Sequence, residues 1–367
     1  MNLPTWPWKP DPDYTRLLKH LSRTGRSDFV PLLEFLVDPE IIKALSDGLF
    51  PGNPFHGRTP VEKNLDSTMW VYYKLGYDAL RAKPILDLPF KKMNVNDTAM
   101  YSRGSRSWVN EGTGPITNWQ EFEQYPWPSP ADADCSQLEY VSRNLPEGMA
   151  ILAKAYGIFE QATNLMGYQT FAESLYDQPD LIQAIFDRIE QVYLPLNQAI
   201  IQMERVIGLW IGDDMGFRTG TLTSPKHLRK FVFPIHKKIA NACHEHGKLF
   251  LMHSCGNLSG IMDELIKDVC IDSKHSFEDA IQPVEAFCSQ YGNRISVIGG
   301  VDVDLLARST PQQIRGRVQA ILKTCATTGS YMLGSGNSIT NYVPVENFLA
   351  MIDEGWRFNQ SISGMAG

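Results

Sequence analysis

The sequence lacks long hydrophobic runs, and this absence predicts a protein that does not cross a membrane. Among its 367 residues, no window approaches the roughly 18 uninterrupted apolar residues that a transmembrane helix requires. The first 18 residues also place prolines and acidic residues where a secretory signal peptide has its apolar segment. We therefore expect a cytoplasmic protein.

An excess of positive charge is lacking as well. The chain has 34 Lys and Arg against 41 Asp and Glu, a formal net charge of −7, which would repel the phosphates of a nucleic acid. Hydrophobic residues make up 43% and charged residues 20%, values that are ordinary for a globular protein and exclude intrinsic disorder. We predict a folded protein that acts on a small molecule, with neither a nucleic acid nor a membrane as its partner.

Three further signatures are missing. The six cysteines contain no C-x-x-C pair, so they predict neither a disulfide framework nor a thiol redox motif. No G-x-G-x-x-G follows an apolar run, which removes the usual dinucleotide-binding signature. No repeat recurs at a period of about 20–50 residues. These absences leave the order of secondary structure as the main guide to the fold.

What the sequence contains is an alternation of short apolar runs with longer helical patterns. Short apolar runs are typical of parallel strands that are buried on both faces. Eight of them, separated by helices, favour a (β/α)8 barrel in a single domain, residues 1–367, over an open sheet. The predicted strands are residues 30–34, 76–82, 149–155, 207–213, 248–253, 270–276, 296–300 and 331–335.

Two segments fall outside the barrel pattern. Residues 1–28 predict a helical extension packed outside the barrel. Residues 94–118 are rich in Gly, Ser and Asn, and predict a hairpin or a long loop inserted after the second barrel strand.

The strongest chemical signal directly follows the fifth predicted strand. His253 and Cys255 are two residues apart in the segment MHSCGN, so at an extended strand end both side chains point to the same side. An imidazole and a thiolate together suit Zn²⁺. The alternative is a buried thiol beside a histidine that is hydrogen-bonded in the core.

Glu278 follows the next predicted strand and is the candidate third ligand. Neighbouring strands lie about 4.8 Å apart, so its carboxylate is within reach of His253 and Cys255. Three protein ligands would leave one coordination position open, as in catalytic zinc sites. The alternative is a solvated loop carboxylate.

Carboxylates at two other strand ends are candidate acid–base groups. Asp213 and Asp214 are adjacent and flanked by glycines, so repulsion predicts that one has a raised pKa or binds a cation; the alternative is a helix-capping turn. Glu34 ends the first predicted strand.

The last predicted strand ends in Gly-Ser-Gly-Asn-Ser. Backbone N–H groups of Ser335, Gly336 and Asn337 would lie near a helix start and suit an anionic cofactor or substrate. The alternative is a tight turn.

Together these residues resemble the uroporphyrinogen decarboxylase superfamily, and more closely its methyltransferase branch, which includes the methylcobalamin:coenzyme M methyltransferases. The resemblance is carried by GDDMG, HSCGN, GGVDVDLLARSTPQQIR and NSITNYVPVENFLAM. It implies a (β/α)8 barrel whose zinc is held by the His and Cys of H-x-C-G, a Glu after the next strand and a Cys after the last strand. By this resemblance His253, Cys255 and Glu278 match the ligands, whereas Asn337 stands where the last Cys is expected.

The decarboxylase branch of the superfamily fits less well. Its members resemble one another in an arginine-rich N-terminal motif that binds the carboxylates of the substrate, but the first strand here, VPLLEFLVDPEII, has Glu34 and no arginine. A carboxylate at this place would repel such a substrate.

Three functional hypotheses follow. The leading one is a zinc-dependent methyltransferase that moves a methyl group between a corrinoid and a thiol or another small acceptor. No D-x-H-x-x-G corrinoid motif occurs, so methylcobalamin would arrive on a separate protein, and the resemblance also suggests a homodimer. The second is a metal-free decarboxylase or lyase that uses Asp213, Asp214 and Glu34. The third is a non-catalytic protein that binds a corrinoid or a partner.

Overall fold

A computed structural model describes residues 5–25, 28–90, 92–97, 99, 105–109 and 112–363. The strands in chain order are β1 (Ala79–Ala82), β2 (Lys92–Asn96), β3 (Ser105–Val109), β4 (Ala150–Tyr156), β5 (Val206–Gly212), β6 (Gly216–Phe217), β7 (Gly220–Thr221), β8 (Leu249–His253), β9 (Ser273–His275), β10 (Ser296–Ile298) and β11 (Tyr331–Met332).

Fifteen α-helical segments lie in the described part of the chain. They are α1 (Tyr14–Leu21), α2 (Pro39–Gly48), α3 (Pro60–Leu75), α4 (Trp119–Gln124), α5 (Ser136–Asn144), α6 (Ile158–Met166), α7 (Tyr168–Asp177), α8 (Pro179–Ile200), α9 (Pro225–His227), α10 (Phe233–Glu245), α11 (Met262–Glu264), α12 (Val284–Tyr291), α13 (Val303–Arg308), α14 (Pro311–Cys325) and α15 (Val345–Ser363). None of the described helices is both long and apolar enough to cross a membrane.

Seven of the strands form one parallel sheet in the order β1-β4-β5-β8-β9-β10-β11. The eighth position is occupied by the predicted first strand, residues 30–34, which contributes a single parallel bridge between Leu32 and Leu333. Pro31 has no N–H and so cannot donate to a regular ladder, although its carbonyl accepts from the Leu333 N–H at 2.8 Å. The predicted (β/α)8 architecture is confirmed, with a bridge in place of its first strand.

The predicted strands differ from the observed ones mainly at their ends. The run 270–276 is reduced to β9 because Cys270 and Ser276 have φ angles of 64° and 91°, which break the extended backbone on both sides. Of the two alternatives predicted for residues 94–118, a hairpin or a long loop, the structure has the hairpin, formed by β2 paired antiparallel with β3 and beginning at Lys92. Residues 98, 100–104, 110 and 111 of that region lie outside the described residues.

The barrel interior is a layer of apolar side chains drawn from almost every strand. Because side chains alternate along a strand, a residue two positions after a member of this layer also faces the interior. It belongs to the next layer, nearer the carboxyl ends of the strands. The interior cluster comprises Leu33, Ala79, Ala150, Leu152, Ile207, Trp210, Leu251, Ile298 and Met332, together with Leu17 and Leu21 of α1.

Helix α1 closes the amino-terminal end of the barrel. Leu17 and Leu21 are buried in the interior cluster, and the Ser296 hydroxyl donates to the carbonyls of His20 and Leu21 at 2.7 and 2.9 Å. The expectation that the N-terminal extension packs outside the barrel is therefore corrected, since its leucines fill the end of the barrel. The opposite, carboxyl end remains for the functional site.

Candidate metal centre

Three potential metal ligands converge where β5 and β8 end. One ligand atom from each of Asp214, His253 and Cys255 lies within 4.8 Å of the other two. The Cys255 Sγ is 3.5 Å from the His253 Nε2, which is 3.6 Å from the Asp214 Oδ1. A nitrogen, a sulfur and an oxygen form a donor set that suits zinc.

Backbone contacts between the two loops explain why the motifs GDDMG and HSCGN come together. A Cβ on Gly256 would lie 2.2 Å from the Gly216 carbonyl carbon, and one on Gly216 would lie 2.6 Å from the Cys255 oxygen. Only glycine permits so close an approach. The Cys255 N–H also donates to the Asp214 Oδ1 at 2.7 Å, which fixes that carboxylate beside the sulfur.

A chain of hydrogen bonds fixes the tautomer of His253. The His275 Nε2 lies 3.2 Å from the Ser335 carbonyl, an acceptor, so His275 carries its proton on Nε2 and its Nδ1 is an acceptor. The His253 Nδ1, at 2.7 Å from that nitrogen, must then donate. Burial holds the pKa of His253 well below its usual range and lowers that of His275 to about 3, so both rings are neutral. The His253 Nε2 therefore presents a lone pair to Cys255 and Asp214.

Cys255 is a protonated thiol in the metal-free protein. Burial, with a contribution from the Asp214 carboxylate, raises its pKa to about 12. The Asn337 Nδ2 donates to its sulfur at 3.3 Å, and the Ser276 hydroxyl lies 3.4 Å away. Asn337 thus occupies the side of the sulfur where the family resemblance places another cysteine. A bound cation would deprotonate this thiol.

Glu278 lies outside this group. It is exposed, and Asp214 stands in its place beside His253 and Cys255. The positive φ of Ser276 turns the chain away from the line of β9, so the strand spacing on which the prediction relied no longer applies. The geometry corresponds to the alternative reading of Glu278, a solvated loop carboxylate.

Asp213 is engaged in a structural role. Its Oδ2 accepts from the N–H groups of Ile158 and Phe159 and its Oδ1 from that of Glu160, at 2.9–3.1 Å, at the start of α6. Its Oδ2 also lies 2.7 Å from the His236 Nε2, and both side chains are fully buried. These contacts favour helix capping over the acid–base role that the sequence suggested.

We expect Asp213→Asn to destabilise the fold by about 2–4 kcal/mol, because the buried amide cannot accept all four hydrogen bonds and loses the charge that favours the helix start. The measurement is the free energy of unfolding in urea. Asp177→Asn, a change at an exposed carboxylate, is the control and should have little effect. Equal stability of the two variants would contradict the capping role.

Glu34 and Ser335 connect the first and last positions of the barrel. The Ser335 N–H donates to the Glu34 Oε1 at 2.8 Å, and its hydroxyl lies 2.6 Å from the Oε2. Burial raises the pKa of Glu34 to about 8. Its carboxyl group contacts Ser335 rather than the three converging ligands, so the structure does not bring Glu34 into the candidate centre.

The pKa of Glu34 predicts a pH-dependent stability. Between about pH 5 and pH 8 the folded protein holds a proton that the unfolded chain has lost, so stability falls as the pH rises through this window, by at most about 1.4 kcal/mol per pH unit. Glu34→Gln keeps both hydrogen bonds without a titrating proton. Its stability relative to wild type should therefore increase from pH 5 to pH 8 in urea titrations. Glu278→Gln, at an exposed site, is the control, and a constant difference for Glu34→Gln would refute the prediction.

Two of the three N–H groups in the predicted backbone anion site at the end of the last strand are engaged within the protein. The Ser335 N–H is used by Glu34, and the Gly336 N–H donates to the Val301 carbonyl at 2.6 Å. Of this trio, Asn337 alone reaches the candidate metal centre, through its side chain.

The sequence of this chain matches a known protein family. The sequence model of the uroporphyrinogen decarboxylase (URO-D) family matches residues 62–356. The chain belongs to the uroporphyrinogen decarboxylase family. A search of curated proteins gives no significant match.

Solved structures similar to this URO-D family member include two methyl-transfer proteins by their descriptions. A methyltransferase from Methanosarcina mazei superposes with a TM-score of 0.69 at 17% identity, covering 94% of this chain and 98% of that one. A putative vitamin-B12 independent methionine synthase from Listeria monocytogenes gives a TM-score of 0.46 at 12% identity, covering 92% and 98%. At 17% identity, the similarity to the Methanosarcina mazei methyltransferase is a similarity of fold.

Around the centre of this URO-D family member, sequence reasoning missed Phe35 and assigned no role to Glu160, although Glu160 follows a predicted strand. Phe35 stacks on His253 with ring centroids 4.0 Å apart, and its position two residues after an interior leucine was a usable signal. Glu160 accepts a hydrogen bond from the Asp214 N–H, and burial together with Asp214 and Asp213 raises its pKa to about 8. Its contact depends on how α6 meets the loop after β5, which strand periodicity does not reveal.

Proposed function

We propose that this URO-D family member is a zinc-dependent methyltransferase that moves a methyl group between a corrinoid on a separate protein and a thiol or another small acceptor. The observation that carries the proposal is the convergence of Asp214, His253 and Cys255 at the carboxyl end of the barrel, where barrel enzymes place their active sites. The similarity in fold to the Methanosarcina mazei methyltransferase supports the same class.

The residues present fit a catalytic zinc. Asp214, His253 and Cys255 would hold it through oxygen, nitrogen and sulfur, leaving a position for the substrate. The bound zinc would supply Lewis acidity that lowers the pKa of a substrate thiol and makes it nucleophilic. His275 holds the His253 ring by its other nitrogen, a support that raises ligand basicity. The Phe35 ring covers one face of His253 and excludes water from it.

A cavity of about 990 Å³ leads from the surface to Asn337, beside the Cys255 sulfur. Its wall includes the apolar side chains of Leu36, Phe277 and Tyr342. A cavity of this size accommodates a small acceptor. Asn337 is the part of its wall that contacts the candidate centre, through the Cys255 sulfur, whereas Asp214, His253 and Cys255 do not line it.

The proposed reaction transfers a methyl cation equivalent. The acceptor thiolate forms a C–S bond to the methyl carbon, the Co–C bond breaks, and its electron pair stays on the cobalt, which leaves as Co(I). The proton of the thiol goes to solvent or to a nearby base. The residues of this chain therefore have to bind the acceptor, orient it and exclude water.

The test is the anaerobic demethylation of methylcobalamin by a thiol, followed by the visible spectrum of the cobalamin. The zinc-loaded protein should show multiple turnovers that a chelator abolishes and zinc restores. Glu278→Gln should remain active because this side chain lies outside the ligand group, whereas Cys255→Ser should be inactive. Binding of methylcobalamin without any turnover across a panel of thiols would instead favour the non-catalytic alternative.

The geometry weighs against the metal-free lyase. That hypothesis uses Asp213, Asp214 and Glu34 as acid–base groups, but Asp213 caps a helix and Glu34 bonds Ser335, which leaves Asp214 alone in the candidate centre. Activity that survives complete removal of metal would revive it.

A further inference from the structure

Two cationic side chains face the barrel interior on neighbouring strands. Arg81 lies two residues after the interior Ala79 in β1, and Lys154 two residues after the interior Leu152 in β4. The strands are paired in parallel, with Arg81 opposite Leu152. Because side chains alternate along each strand, both cations belong to the layer at the carboxyl end, the layer that also contains His253.

Neither cation forms an ion pair within the described part of the chain. The Arg81 guanidinium carbon lies 4.0 Å from the Phe35 ring centroid, and the Lys154 Nζ lies 4.0 Å from that of Tyr156. The Arg81 Nε is buried and has no hydrogen-bond partner. Burial lowers the pKa of Arg81 to about 10 and, with repulsion from Arg81 and Lys83, that of Lys154 to about 8. Glu160 attracts both cations and Asp87 attracts Lys154, but the pKa of Glu160 is itself raised to about 8, so this group is mostly protonated at neutral pH. Two neighbouring cations in such surroundings remain costly unless a further anion compensates them.

The cations lie on the same side of the barrel mouth as the metal centre. Phe35 contacts both Arg81 and His253. Strand β5 lies between β4 and β8 in the sheet, and at the level of this layer it carries Gly212, where a Cβ would lie 3.1 Å from the Phe35 ring. In the strand pairing His253 lies opposite Gly212, whereas Lys154 lies opposite the interior Trp210. The Arg81 guanidinium and the His253 imidazole each lie 4.0 Å from the Phe35 ring centroid and so cover its two faces. A small molecule that spans both sites would therefore pass the edge of this ring.

We infer that Arg81 and Lys154 form a binding site for an anionic group of the substrate, a carboxylate, sulfonate or phosphate, while the reacting end of the substrate faces Asp214, His253 and Cys255. The guanidinium offers two parallel donors to such a group and the ammonium a point charge. The assignment of the anion to the substrate rests on the proposed function; the anion site itself does not.

The experiment measures the thermal midpoint of the purified protein in sodium sulfate or sodium phosphate against sodium chloride of equal ionic strength. Wild type should show a saturable rise in midpoint. Arg81→Met and Lys154→Met should each weaken the apparent affinity at least about tenfold, and Arg81→Lys should lie between. Lys83→Met, which removes a neighbouring but exposed cation, is the matched control and should keep the wild-type response.

A rise of equal size in all variants would be a general salt effect and would overturn the inference, as would the absence of any saturable rise. If Arg81→Met does not fold, Lys154→Met and Arg81→Lys decide. A second titration compares the apparent affinities for 3-mercaptopropionate and for the neutral 2-mercaptoethanol, again from the thermal midpoint. If wild type binds 3-mercaptopropionate more tightly and Lys154→Met does not, the bound anionic group belongs to the substrate thiol. These readouts need no turnover, so failure of methyl transfer with anion binding intact would remove only the proposed function.

Discussion

Asp214→Asn is expected to lose tightly bound zinc, whereas Glu278→Gln is expected to keep it. The Asp214 Oδ1 lies 3.6 Å from the His253 Nε2 and is held there by the Cys255 N–H, whereas Glu278 is exposed and outside the group. Loss of the anionic oxygen should lower the affinity for zinc on the order of 100-fold. Loss of a group that only supports a ligand already costs up to about that much. The measurement is zinc content per chain after dialysis against a weak chelator, by elemental analysis.

The double variant His253→Ala plus Cys255→Ala completes this test. It removes the nitrogen and the sulfur together, so it should retain only the small amount of zinc that binds nonspecifically to the protein surface. Far-ultraviolet circular dichroism checks that each variant is folded. Zinc retained by the double variant would refute the metal centre, and zinc lost from Glu278→Gln but kept by Asp214→Asn would restore Glu278 as the third ligand.

Asn337→Cys should increase zinc affinity by about tenfold or more, equivalent to about 1.4 kcal/mol or more. The Asn337 Nδ2 lies 3.3 Å from the Cys255 Sγ, so a thiol at this position would lie beside the three converging ligands. A thiolate is a far better zinc ligand than an amide. Affinity is measured by competition with a chromogenic chelator under a reductant, which prevents a disulfide with Cys255.

Asn337→Ser is the control for this prediction, because it removes the amide without adding a soft ligand. It should bind zinc no more tightly than wild type. If both variants bind alike, the position lies too far from the metal, and the comparison with the cysteine of the resembling enzymes fails. If only Asn337→Cys gains zinc affinity, the wild-type amide stands where the resembling enzymes have a thiolate. The site of this protein then carries less negative charge than theirs.

The sequence alone determined the barrel, the place of an inserted hairpin or loop, and two of the three converging potential ligands. Short apolar runs are local signals, so they predicted the order of parallel strands, and the i, i+2 spacing of His253 and Cys255 predicted their common direction. Only the tertiary structure decided between carboxylates. Asp213 and Asp214 are adjacent in sequence, yet one caps α6 and the other faces the sulfur. Glu278 lies beyond the turn at Ser276 and outside the group of potential ligands, and the pairing of β1 with β4 places Arg81 opposite Leu152, two residues before Lys154. Strand periodicity tells which face a side chain occupies, but which groups meet on that face depends on loop backbones and on chain segments far apart in sequence.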